Sequence, residues 1–240
     1  RYYYCVFFVY FLFIFYKEVP LKSFLKALLV LFILSIPAII YFYHIILNYN
    51  FLNKLFKYGN INYYSNSLII LSIIFFYLLP IILNKKILFF EHCKKNYKKI
   101  LVIFLAILSI FLLDKLYFDH LIYFSPKGGG VFVKISNIIN LDVELFISFI
   151  SFISLIVIDY IFKDNRLLNY FLLICLIMCF PVFTIYQKYF DPLFYFFLFG
   201  LIQSNLLRNM ITKKSKELIF VMAYFFLFFV FSSIYYSQGI

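Results

Sequence analysis

Long apolar runs separated by short polar and basic segments constrain this chain more than any other feature of its sequence. Several runs, such as Ala27–Leu47 and Leu141–Phe162, reach the length of about 20 residues at which an α-helix crosses a bilayer. Charged residues make up only 13% of the chain, about half the fraction in an ordinary soluble domain, and hydrophobic residues make up 66%. A soluble fold cannot bury so much apolar surface. The sequence therefore predicts an integral membrane protein.

Hydropathy predicts an all-α, polytopic transmembrane helix bundle of about eight spans, which forms a single integral membrane domain over residues 1–240. The expected spans, in chain order, are Tyr2–Tyr16, Ala27–Leu47, Ser67–Leu83, Ile100–Phe124, Leu141–Phe162, Tyr170–Tyr186, Leu193–Leu207 and Leu218–Tyr236. The chain starts at Arg1 without methionine and runs straight into an apolar segment, which does not resemble a cleavable signal peptide. We therefore expect it to be the C-terminal part of a longer protein.

Two further helices are expected in the membrane interface. The strongly basic segment Asn84–Lys99 is suited to a short helix of this kind. In Val131–Asn140, apolar residues at 131, 135, 138 and 139 alternate with polar residues at 134, 137 and 140, which is the spacing of an amphipathic helix. A β-like or re-entrant conformation stays open for this second segment.

Basic residues are distributed unequally between the two sets of alternating loops. Of the 22 lysines and arginines, fifteen lie in one set, the segments that contain Lys17, Lys85, Lys163 and Arg208, and seven lie in the other. Because cytoplasmic loops carry the excess of basic residues, the richer set is predicted to face the cytoplasm. The net charge of +12 then reflects membrane topology, and no nucleic-acid partner is expected. The segments predicted to lie outside the cytoplasm, in the inner membrane of a bacterium, are 48–66, 114–140 and 187–192.

The outer segment 114–140 is the longest interval without a clean membrane-spanning run. It contains the only glycine cluster of the chain, Gly128-Gly129-Gly130, between Lys127 and Lys134. Glycine backbones approach a ligand closely and their N–H groups can form an anion-binding nest, so the cluster is a candidate phosphate site. A flexible break before an interfacial helix explains the glycines equally well.

Acidic and imidazole groups lie in the same segment. Asp114, Asp119 and His120 are the residue types that usually carry protons in catalysis. Lys115 and Asp119 are one helical turn apart, however, so a solvated helix end with an ion pair also explains them. The sequence contains no spacing typical of a metal site, a Ser/His/Asp triad or a nucleophile elbow, and it indicates no particular cofactor.

Polar residues inside the apolar runs have structural explanations. Asp191 suits the N-cap and Pro192 the first position of a helix, so the pair is expected to start the Leu193 span. Asp159 is about one turn from Lys163 and is expected to reach the membrane surface. Three consecutive residues are expected to hydrogen-bond to neighbouring helices: Gln203, Ser204 and Asn205.

The turn Tyr186-Gln187-Lys188-Tyr189-Phe190-Asp191-Pro192 resembles the Arg-Tyr-x-x-Pro-type turn late in many GT-C glycosyltransferases, with Lys188 in place of the arginine. Those enzymes span the membrane many times and use polyprenyl-phosphate-linked sugars on its non-cytoplasmic side. The resemblance covers about seven of the 240 residues. It implies that this chain binds such a donor, and that the catalytic base lies upstream of Arg1. The residues it implies for substrate binding are Lys127, Gly128, Gly129, Gly130, Lys134 and Lys188 for the phosphate, and Asp114, Asp119 and His120 for the acceptor or nearby cations.

Two other classes of function stay open on the sequence. A polysaccharide polymerase or ligase would also face outward and use a lipid diphosphate. A transporter or lipid flippase would show broken helices, which Pro37, Pro80 and Pro181 could produce, but also inverted repeats, and the sequence shows no convincing internal repeat.

The topology predicts the accessibility of Cys93, which lies in the most basic segment. An impermeant maleimide added to intact cells should leave Cys93 unlabelled and should label it after permeabilisation. Cys93→Ser corrects for the other cysteines, and Asn60→Cys in the predicted outer segment 48–66 should be labelled in intact cells. Labelling of Cys93 in sealed cells would invert the topology.

Overall fold

The computed structural model describes residues 6–48, 63–117, 128–180, 185, 187–212 and 216–237, and every regular element in these ranges is helical. The α-helices there are α1 (Val6–Glu18), α2 (Leu21–Asn48), α3 (Tyr63–Asn84), α4 (Lys86–Lys95), α5 (Tyr97–Tyr117), α6 (Gly130–Ile138), α7 (Val143–Ile161), α8 (Arg166–Met178), α9 (Gln187–Phe196), α10 (Asn205–Thr212) and α11 (Lys216–Ser237). A 3-10 turn, Phe162–Asp164, follows α7, and a turn of π-helix, Phe197–Leu201, follows α9. The predicted all-α class is confirmed.

Among the described helices, four are long and apolar enough to cross a membrane: Leu21–Tyr41, Ser65–Asn84, Val143–Asp164 and Lys216–Ile234. The number rises to five if Lys86–Lys95 and Tyr97–Leu113, which are bent by 87° relative to one another, form one broken span. These helices fit a multi-pass membrane protein. The predicted count of about eight spans is not confirmed.

Two expected spans are shorter or interrupted. Helix α8 has 13 residues, and at 1.5 Å per residue it reaches about 20 Å of a hydrocarbon core of about 30 Å. The expected span Leu193–Leu207 is broken, because the backbone becomes extended at Ile202 and a new helix begins at Asn205. Of the prolines, Pro37 and Pro80 lie inside α2 and α3, while Pro181 lies outside the described residues.

Both segments that the sequence predicts as interfacial helices are helical in the structure. The basic segment forms α4, and the amphipathic segment forms α6, so the β-like alternative for residues 131–140 is wrong. Val133 and Ser136 of α6 are buried, whereas Ile138 is exposed. Helix α6 packs against α3 and α7.

Helix α3 is the central helix of the described bundle. Most of its span is buried, including Ile70, Ile73 and Tyr77, and it packs against α5, α6, α7, α8 and α11. By contrast, none of the residues in the apolar part of α2 is buried, and few are in α11. These two helices therefore present apolar surface of the kind that lipid covers.

Hydrogen bonds show in which direction the neighbouring helix α7 runs relative to α3. The hydroxyl groups of Ser151 and Ser154 on α7 donate to the carbonyl oxygens of Leu68 and Leu71, each at 2.7 Å. Because both sequence positions increase together, α3 and α7 run in the same direction.

Helix α11 runs the opposite way along α3. Glu217 at its start forms an ion pair with Lys85, just beyond the end of α3. Further along α11, the hydroxyl of Tyr224 donates to the carbonyl oxygen of Phe76 at 3.3 Å. Residue numbers increase along α11 in the direction in which they decrease along α3, so the two helices are antiparallel.

Candidate functional site

The glycine turn, residues 128–130, is buried where α6 begins. The N–H of Gly129 donates to the carbonyl oxygen of Ile185 at 2.8 Å. The N–H of Val131 donates to Oε1 of Gln187 at 3.1 Å, and Nε2 of Gln187 donates to the hydroxyl of Tyr77 at 3.4 Å. The glycine turn is thus joined by hydrogen bonds to the first residue of α9 and to the central helix α3.

Backbone conformation and close packing explain why glycines occupy this turn. Gly129 and Gly130 have φ of +88° and +82°, a region that side chains with a Cβ rarely adopt. A Cβ added at Gly130 would lie 2.8 Å from Cγ1 of Ile73 and 3.4 Å from Oε1 of Gln187. Glycine therefore lets the backbone reach both α3 and α9.

The start of α9 differs from the sequence prediction. Asp191 and Pro192 lie inside α9, which begins at Gln187, so the prediction that they cap and start a helix is wrong. At the observed start, the Gln187 side chain is held by Val131 and Tyr77. A tertiary contact, rather than a local capping pair, marks this helix end.

The electrostatics of the turn favour an anion. Helices α6 and α9 both begin here, at Gly130 and Gln187, so the positive ends of two helix dipoles lie close together. Lys134 is half-buried one turn along α6, and Lys188 is the second residue of α9. Since the N–H groups of Gly129 and Val131 already have protein acceptors, lysines and helix ends are the groups that a phosphate would use.

Only part of the predicted site falls within the described residues. Lys127, Asp119 and His120 lie outside them, and Asp114 lies in α5. Gly128, Gly129 and Gly130 are buried. The next residue, Val131, donates a hydrogen bond to Gln187, which belongs to the turn that resembles the glycosyltransferase turn. The substrate-binding roles of these residues, and of Lys134 and Lys188, stay predictions. Within the described ranges, no group of three or more His, Cys, Asp and Glu side chains is placed to hold a metal ion.

A second polar cluster surrounds Asp159, which is only 6% exposed. Its Oδ2 accepts a hydrogen bond from Nε2 of His92 at 3.2 Å, and its Oδ1 accepts one from the hydroxyl of Tyr170 at 3.1 Å. Nε of Arg166 lies 3.7 Å from the same Oδ1. The carboxylate thus ties α4 and α8 to α7. Its partners are His92, Tyr170 and Arg166, and not Lys163, which the sequence suggested.

The protonation of His92 follows from its neighbours. Nδ2 of Asn96, which can only donate, lies 3.3 Å from Nδ1 of the imidazole. In the neutral ring Nδ1 is therefore the acceptor, and Nε2 carries the hydrogen given to Asp159. Both ring nitrogens have protein partners, so this cluster is built to hold α4 in place and offers no nitrogen to a substrate. Sequence reasoning missed it because 67 residues separate the pair.

Comparison with known proteins adds no family: no family model, no curated protein and no solved structure matches this chain. The helical fold and its four or five long apolar helices are compatible with a multi-pass membrane protein. Its function has to be argued from the glycine turn and the elements that surround it.

The packing of the glycine turn predicts a strong effect of Gly130→Ala. The new Cβ would meet Ile73 and the residue would keep a positive φ, so the free energy of unfolding should fall by about 2 kcal/mol. Gly200→Ala is the matched control, because its nearest neighbouring atoms are 3.6 Å away. Thermal unfolding of both variants in detergent measures the difference, and equal midpoints would contradict this packing.

Proposed function

We propose that this chain is part of a membrane glycosyltransferase that takes a sugar from a polyprenyl-phosphate-linked donor at the non-cytoplasmic face. One observation carries the proposal: the hydrogen bond from the Val131 N–H to Oε1 of Gln187. The glycine cluster is the candidate phosphate site of the sequence, and Gln187 belongs to the segment that resembles the glycosyltransferase turn. Two separate sequence signals therefore meet at one place.

The chemistry of glycosyl transfer suits a site of this kind. The bond between the sugar carbon and the phosphate oxygen breaks, so negative charge grows on the leaving phosphate. In the proposal, Lys127, Lys134 and Lys188 bind that phosphate, and the starts of α6 and α9 add the positive ends of their helix dipoles. Groups arranged before the reaction stabilise this charge without further reorganisation.

The proposal places the site outside the cytoplasm of a bacterial inner membrane, with segments 48–66, 114–140 and 187–192 on the outer face. The directions of the helices support this arrangement. Helices α3 and α7 follow the first two of these segments and run in the same direction, while α11 runs against them. The basic residue Lys85, at the far end of α3, pairs with Glu217 at the start of α11.

A transporter or lipid flippase is the second candidate, and the break between the π-helical turn and α10 favours it. Gln203 lies in this break, where its N–H donates to Oδ1 of Asn169 at 3.0 Å and its carbonyl oxygen accepts from Nδ2 of the same residue at 2.9 Å. Broken helices with satisfied backbone groups are typical of transporter sites. A polysaccharide polymerase or ligase would use the same lipid phosphate chemistry as the glycosyltransferase.

The proposed site predicts the effect of replacing its lysines. In the full-length protein, Lys134→Gln and Lys188→Gln should each weaken donor binding about tenfold, because a charge-assisted hydrogen bond is lost. Lys86→Gln on α4, an exposed residue remote from the glycine turn, is the matched control. Transfer and binding are measured in proteoliposomes with labelled lipid-linked sugars.

The outcomes separate the candidates. Transfer that is indifferent to both Lys134→Gln and Lys188→Gln would keep the enzyme class and remove this site. No transfer with any donor, together with substrate-dependent movement of lipid across the bilayer, would favour the flippase.

A further inference from the structure

A cavity of about 520 Å³ lies beside the break between the π-helical turn and α10. On one side it is bounded by the end of the 3-10 turn that follows α7, including Asp164 and Asn165. On the other side are Gln203, Ser204 and the first turns of α10. This place is separate from the glycine turn and from the Asp159 cluster.

Hydrogen bonds between the two sides build the polar end of the cavity. Oδ2 of Asp164 accepts from the N–H of Asn205 at 2.7 Å. Nδ2 of Asn165 donates to Oε1 of Gln203 at 2.6 Å. The helix break beside the cavity is therefore held in a defined shape.

One polar group in the wall has no partner. Ser204 is 6% exposed, and its hydroxyl makes no hydrogen bond in the structure. Buried polar groups without partners are rare in folded proteins and call for an explanation. A polar ligand in the adjoining cavity would supply the missing partner.

The charges of the wall indicate what kind of ligand fits. Asp164 and Arg208 are the charged residues among the described residues that line the cavity. The nearest basic side chains on the preceding turn are engaged elsewhere, since Arg166 lies against Asp159 and Lys163 lies 5.5 Å from the centre of the Tyr160 ring. One acidic and one basic group match a ligand that carries both charges.

Apart from Thr212, the remaining residues of the wall are apolar. Leu198, Phe199 and Ile211 line it, and Phe199 and Ile211 are 40% and 39% exposed. Apolar side chains next to a polar end suit an amphiphile, with its headgroup among the polar groups and its chain along the apolar wall. A free zwitterion would leave this apolar surface uncovered.

We propose that this cavity binds the headgroup of a zwitterionic phospholipid, with the phosphate at Arg208 and the ammonium group at Asp164. The Asp164 carboxylate keeps lone pairs for the ammonium group while it accepts from Asn205. The guanidinium of Arg208 is suited to phosphate, which it can contact through two N–H groups. This site is independent of the glycosyltransferase proposal.

The test is lipid binding to the purified full chain in detergent, followed by native mass spectrometry and thermal unfolding. Three probes are compared: phosphatidylethanolamine, phosphatidylglycerol and soluble phosphoethanolamine. Phosphatidylethanolamine should bind about tenfold more tightly than either of the others, because only it carries both charges and an acyl chain. Equal binding of the two lipids would overturn the headgroup assignment, and equal binding of phosphoethanolamine would overturn the lipid assignment.

Variants assign the two ends of the headgroup. Arg208→Gln should weaken phosphatidylethanolamine binding about tenfold. Asp164→Asn retains an acceptor for Asn205 but loses the charge, so it should weaken phosphatidylethanolamine and leave phosphatidylglycerol unchanged. Lys95→Gln, an exposed residue outside the cavity, is the control. Unchanged binding in Arg208→Gln would overturn the proposal, and the comparison of the three probes on the wild type decides it if a variant fails to fold.

Discussion

The burial of α3 is the constraint on which the rest of the described structure depends. A helix surrounded by protein in an apolar bundle satisfies its own backbone groups, and its neighbours can add hydrogen bonds only through their side chains. Ser151 and Ser154 of α7 donate such side-chain hydrogen bonds to the backbone of α3. Because their side chains are small, α7 can approach α3 closely. Tyr77, in the same helix, reaches Gln187. The central helix thus positions both α7 and the candidate site.

The two polar assemblies of the bundle differ in their partners. Around Asp159, the side chains of His92, Tyr170 and Arg166 interact with the carboxylate, so the assembly fastens α4 and α8 to α7. At the glycine turn, two helices begin side by side, with Lys134 one turn along α6 and Lys188 at the second position of α9. The carboxylate of the first assembly is paired with neighbouring side chains, whereas the second brings the positive ends of two helix dipoles together. This contrast supports the proposal of a phosphate at the glycine turn.

The sequence predicts those parts of the fold that a local pattern encodes. Long apolar runs predict α2, α3, α7 and α11, and the spacing in Val131–Asn140 predicts α6. The break near Gln203 contains no proline, and Gly200 just before it does not predict where the helix ends, because the break depends on Asn169, which is 34 residues away. The partner of Asp159 is more distant still. Of the candidate site, composition indicates the glycines and lysines, but only tertiary structure brings the glycine turn to Gln187.

The central claim is that the glycine turn and the start of α9 together bind the phosphate of a lipid-linked sugar. Photocrosslinking tests it most directly, with a photoreactive amino acid in place of Lys134 or Lys188 and, as a control, in place of Lys86. The account predicts that a polyprenyl-phosphate-linked sugar becomes attached at positions 134 and 188, and that excess unlabelled donor suppresses this attachment. Equal attachment at position 86, or none at either site position, would contradict it.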